Sequence, residues 1–110
     1  MKHIYCLFLV LFISFATSAK AVIVGENIDV NHYEIHLNTI DFTNRNFEAV
    51  TTVSLTTKTN TDVIHLELKS LVVNEITSND ASISTFSQED DLLIIELSSA
   101  LAENTQASFT

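Results

Sequence analysis

Apolar side chains in this chain return at every second position, and that period suits a pleated strand while it defeats a helix. Tyr33, Ile35 and Leu37 share one parity, and His32, Glu34, His36 and Asn38 take the other. A helical face needs a period of 3.6, so this stretch reads as a half-buried strand with Tyr33, Ile35 and Leu37 turned inward. The same pattern returns over residues 46–59. There Phe47, Ala49, Thr51, Val53 and Leu55 stand against Glu48, Thr52, Ser54 and Thr56, with Val50 the one exception. Its threonines and valines fit a pleated surface.

Further strands are expected along the rest of the chain. Residues 62–69 place Ile64, Leu66 and Leu68 inward and Val63, His65 and Glu67 outward, and residues 71–77 read as a continuation or a sister strand. A short apolar-bearing run follows at residues 82–86. The run "LLIIEL", residues 92–97, is apolar on both parities until Glu96 and is the best candidate for a central strand buried on both sides. A last strand begins at Gln106.

The chain has no proline and one glycine, so its turns must come from side chains that bond their own backbone. Such residues cluster at positions 43–46, 60–62, 78–80, 89–91 and 103–105. Short strands with this punctuation predict an all-β domain, an antiparallel β-sandwich or saddle-like sheet.

The first residues have a different logic. Met1-Lys2-His3 precede an apolar run from Ile4 to Phe15, and small or polar residues follow to Ala21. A basic start, a short apolar middle and an A-x-A-like end are what a secretory signal peptide needs. A bilayer span needs about 20 apolar residues, and Lys20 interrupts any extension of this run. Residues 1–21 are therefore assigned to a signal peptide, cleaved after Ala19 or Ala21, and residues 22–110 to one domain. The expected location is outside the cytoplasm, whether periplasmic, cell-surface or extracellular. Cys6 is the single cysteine and lies in the leader, so the processed domain must hold together by its core alone.

Charge narrows the partners. Once Lys2 and Lys20 leave with the signal, Arg45, Lys58 and Lys69 face all 14 acidic residues, a net charge of −11. Such a chain gains nothing from phosphate backbones by counterion release, which argues against nucleic acid and anionic membrane surfaces.

The segment "NHYEIHLN", residues 31–38, looks at first like a scrambled zinc motif. On a helix, His32 and His36 would share a face and one ion. On a strand, residues four apart lie about 13 Å apart, whereas Zn–N bonds are about 2 Å long. The two histidines then read as outer-face residues, with Glu34 between them and His65 as the one conceivable cross-strand partner. Glu89-Asp90-Asp91 lacks the spacing and glycine of a calcium loop and reads as a solvated hairpin tip. No G-x-S-x-G elbow occurs. No catalytic, cofactor-binding or metal-binding residue is assigned to this chain.

Taken in order, these segments resemble the start of the amino-terminal domain of the M1 family of zinc aminopeptidases, the aminopeptidase N-like group. Residues 28–37, "IDVNHYEIHL", are similar to the family's "DVxHYxIxL" first strand, and Phe47-Glu48-Ala49-Val50 to its "F-x-G-x-V". "DVIHLELKSLVVNEIT" and "DLLIIELSSALAENTQASFT" resemble its later apolar patterns. Ala49 and Asn104 depart from it, standing where the family often has glycine.

The resemblance implies a non-catalytic amino-terminal β domain of an exported metallo-aminopeptidase, one that removes amino-terminal residues from peptides. It also implies a fragment incomplete at its carboxyl end. The family's H-E-x-x-H with its downstream glutamate, and its amine-gripping G-x-M-E-N-type stretch, belong to a later domain and have no counterpart here. Zinc is thus implied for the complete enzyme and for no residue of this chain. The implied partner is the catalytic domain of the same polypeptide, through which alone peptide substrates would be met. The alternative from another class is a free-standing secreted β-sandwich that binds a protein or glycan; a small enzyme of unknown type is the third.

Overall fold

The computed structural model describes residues 23–110, so the signal peptide expected over residues 1–21 lies outside the described residues. Six strands follow in order: β1 Ile28–Asp41, β2 Asn46–Thr57, β3 Thr61–Glu67, β4 Ile83–Glu89, β5 Leu92–Leu101 and β6 Gln106–Phe109. They form two three-stranded antiparallel sheets, β1-β2-β6 and β3-β5-β4. The expected all-β architecture is what the chain adopts.

The two sheets meet through one core. Ile28, Val53, Leu55, Ala107 and Phe109 come from the first sheet; Ile64, Leu66, Leu93, Ile95 and Leu97 come from the second. Each set sits at alternate positions of its strand, so the period of two read from the sequence places the interior of the sandwich correctly. Val73, Ile76 and Phe86 pack against the margin of this core.

The turns use the residues expected of them. Asp90 and Asp91 link β4 to β5 with φ of 49° and 63°, the pair of left-handed residues that a two-residue hairpin of matching twist requires. Arg45 and Asn104 take φ of 55° and 60° in the turns between β1 and β2 and before β6. Asn104 thus adopts the conformation that glycine reaches most freely.

Two expectations are corrected. Residues 71–77 form no strand. The Gln88 side chain occupies their backbone instead, its amide oxygen accepting from Val73 N and its Nε2 donating to Leu71 O, each at 2.9 Å. Those bonds hold the segment in place without a ladder. β5 is indeed the central strand of its sheet, but it is buried on one face only. Leu93, Ile95 and Leu97 are buried, whereas Leu92 and Ile94 are half-exposed on the outer face.

A third correction concerns β1. Tyr33, Ile35 and Leu37, expected to face inward, are 55%, 62% and 59% exposed. They do share one face of the strand. The covering sheet simply does not reach that far.

Candidate functional site

The feature that stands out is the far part of the β1–β2 pair. Among the described residues β6 runs alongside β2 from Val53 to Thr56, and past Val53 the β1–β2 pair continues as a ribbon to Asp41 and Asn46. Register fixes its faces, because directly opposed residues lie on the same side. Tyr33 opposes Val53, Ile35 opposes Thr51, Leu37 opposes Ala49 and Ile40 opposes Phe47. Since Val53 belongs to the core, this apolar face is the inner face of the sandwich carried past its own second sheet. Ile40 and Phe47 are about as exposed as Tyr33.

The opposite face is polar. His32, Glu34 and His36 stand across from Ser54, Thr52 and Val50. His36 Nε2 lies 2.7 Å from Glu34 Oε1, an exposed contact between residues two apart on one face. His32 and His36 sit on an unbulged run of strand, so the spacing of about 13 Å holds and they do not meet at one ion. His65 belongs to β3 in the other sheet and does not join them. Among the described residues, no group of three or more His, Cys, Asp or Glu is placed to hold a metal ion.

The ribbon is closed at its tip by a side chain. Asp41 Oδ1 accepts from the backbone N–H of Thr43 at 2.9 Å and of Asn44 at 3.0 Å, and Oδ2 accepts from Asn44 Nδ2 at 2.8 Å. These bonds favour the charged carboxylate. The backbone N–H of Asn44 is the largest cause, followed by its side chain, and together they hold Asp41 below the usual aspartate pKa.

Two shallow depressions elsewhere are open and mostly polar. One lies between Leu68 and the β4–β5 turn, the other over Asn31, Ser54 and Ser108. Serines and carboxylates line both, but the Ser54 and Ser108 hydroxyls bond each other, and Asp80 accepts only from the Ser108 backbone N–H among the described residues. Glu89, Asp90 and Asp91 lie at an exposed hairpin end, as expected of a solvated tip.

The ribbon face escaped the sequence reading, although one signal was there. β1 runs from Ile28 to Asp41, longer than the five or six residues of an ordinary sandwich strand, its apolar alternation changing parity at Asn31 and Asn38. Strand length, more than residue type, marks where β1 and β2 leave the sandwich.

Comparison of the chain with models of known protein families, with curated proteins and with solved structures finds no match to any of them.

Proposed function

We propose that this chain is the non-catalytic amino-terminal β domain of an exported zinc metallo-aminopeptidase, with the chemistry supplied by a catalytic domain of the same polypeptide. One observation carries the reading furthest: the apolar face of Tyr33, Ile35, Leu37, Ile40 and Phe47 continues the inner face of the sandwich beyond its own second sheet. An apolar surface of that kind marks a contact with another protein surface. The ordered motifs of the sequence, from "IDVNHYEIHL" onward, supply the identity of that neighbour. In this reading the domain walls the enzyme's cavity, zinc is held wholly by the catalytic domain, and peptides are met only there. The leader-like first 21 residues support export to the periplasm, the cell surface or the medium.

The coding sequence downstream of the Thr110 codon tests it. An open frame running into H-E-x-x-H with a downstream glutamate is expected, and a stop codon at that point sinks the reading. The isolated chain should release nothing from aminoacyl-naphthylamides, with or without added zinc.

A second reading, a free-standing secreted β-sandwich binding module, has its own support. The described domain closes a core from both sheets and leaves no buried side-chain nitrogen or oxygen without a hydrogen bond. A stop codon after Thr110, together with a stable soluble product, favours it over the first.

A further inference from the structure

The backbone groups of a strand point alternately to its two sides, and β2 shows which way those of β1 point. Thr57 directs both its groups away from β1, its N–H donating to Thr105 O and its carbonyl accepting from Asn104 N, each at 2.9 Å. Lys58 faces the other way and donates to Asn27 O at 2.8 Å. By alternation Thr56, Ser54, Thr52 and Val50 bond toward β1, where their partners are Asp29, His32, Glu34 and His36. Tyr33, Ile35 and Leu37 therefore turn their N–H and C=O groups to the outer side of β1, along which no strand of the described residues lies. β6 is on the far side of β2, so its extent has no bearing on this edge.

The stretch that carries these groups is complementary to itself. Set antiparallel to a second copy about Ile35, Tyr33 meets Leu37, Ile35 meets Ile35 and Glu34 meets His36. Pairing about Glu34 would instead bring the two carboxylates face to face, and pairing about His36 the two imidazoles. In the register about Ile35 the pairs made by Tyr33, Ile35 and Leu37 are the hydrogen-bonded ones, since these residues hold the outward groups. Glu34 and His36 then form the non-hydrogen-bonded pair, whose side chains approach most closely. Within one chain His36 Nε2 already lies 2.7 Å from Glu34 Oε1, so pairing gathers carboxylates and imidazoles in alternation on the polar face.

We infer that two copies of this chain associate through the outer edge of β1, antiparallel over residues 33–37 about a two-fold axis at Ile35. The two ribbons then form one continuous sheet with a common apolar face, on which Tyr33 lies beside Leu37 of the second copy and the two Ile35 side chains meet. All three residues are more than half exposed in the single chain. The register shifts at Asn31 and Asn38 bound the pairing, because the strand bends away at an irregularity. Both copies use the same edge, so the assembly closes at two and does not grow into a fibre. Five residues a side is well below a permanent interface, and a net charge of −9 on each copy opposes contact, so the association is weak and reversible. The inference concerns β1 alone and needs neither functional reading above.

Sedimentation equilibrium and NMR amide exchange on the chain, followed up to about 1 mM, test this. A monomer–dimer equilibrium is expected, with exchange at Tyr33, Ile35 and Leu37 slowing by about tenfold as the dimer fills. The amides of Glu34 and His36, already bonded to β2, should not change. His36→Glu sets carboxylate against carboxylate at two symmetric places and should weaken the dimer by about tenfold; adding Glu34→Lys restores opposite charges and should recover it. Ile35→Pro removes an outward donor and no bond to β2, so the variant should fold and stay monomeric. A chain that is monomeric across this range overturns the inference. So does a dimer that protects other amides, that folded Ile35→Pro forms equally well, or that the charge swap fails to recover.

Discussion

Thr57 and Thr105 are tied twice: the Thr57 N–H donates to the Thr105 carbonyl at 2.9 Å, and the Thr105 N–H donates to the Thr57 hydroxyl, also at 2.9 Å. The same hydroxyl donates to Ala102 O at 2.6 Å. Thr57 is fully buried, so these bonds are made where no water can replace them. Thr57→Val keeps the shape and strands both partners, and should cost about 1–3 kcal/mol. Thr57→Ser keeps the hydroxyl and should lose about 1 kcal/mol for the buried methyl. Urea denaturation checks both; a valine variant as stable as the parent contradicts the clamp.

Core and ribbon should respond differently to truncation. Ile64 has no exposed surface and sits between the sheets, so Ile64→Ala should cost about 2–5 kcal/mol, a large share of the stability of a domain this small. Leu37 lies on the open ribbon face, and Leu37→Ser should stay within about 0.5 kcal/mol while raising solubility. Comparable losses at both positions in chemical denaturation would mean that the ribbon face is packed in solution.

The contrast between Ile64 and Leu37 also shows what a sequence can carry. Alternation tells which residues share a face, and it placed Ile64, Leu66, Val53 and Leu55 together correctly. It cannot tell whether another sheet covers that face. Tyr33, Ile35 and Leu37 obey the same rule as the core residues and end up exposed among the described residues, because alternation does not encode how far the second sheet extends. The turns were legible for a local reason: Asx and Ser/Thr side chains set their own backbone within three or four residues. The pairing of β2 with β6 was not legible at all, since it joins residues some fifty apart in sequence, from Thr56 with Gln106 to Val53 with Phe109.

The β4–β5 turn is built from two aspartates with positive φ, a conformation that costs most L-residues about 1–2 kcal/mol. Replacing Asp90 with asparagine and Asp91 with glycine supplies the preferred pair for this turn. A gain of about 1 kcal/mol is expected, visible as a rise of several degrees in the thermal midpoint. Asp91→Val should lower it.

Asp41 links the ribbon tip to acidity. Its pKa is lower folded than unfolded, so the folded state binds fewer protons in the window between the two values, and stability there increases with pH. The contribution is complete above the ordinary aspartate value of about 4 and is lost as pH falls through the lower folded value. An NMR titration of the Asp41 carboxyl should give a midpoint below 4, with Thr43 and Asn44 amide shifts following the same curve. A midpoint at or above that value contradicts the tip geometry.

Zinc provides a direct check on the strand reading of "NHYEIHLN". Titration with zinc alone should show no binding tighter than the micromolar range, and replacing His32 and His36 with alanine should change nothing. Tight binding that disappears in the double variant would require the two imidazoles to converge, which an extended strand forbids.

The return of β6 to the first sheet has a consequence for synthesis. Strands β3, β4 and β5 build the second sheet between the moment β2 is made and the moment its neighbour arrives. Closing a loop of roughly fifty residues is slow relative to hairpin formation, and no local contact can substitute for it. The nascent chain therefore carries an open first sheet until Gln106–Phe109 have left the ribosome. During that interval its survival rests on whatever holds hydrophobic hairpins apart in the cell, and folding yield becomes a matter of timing as much as of stability.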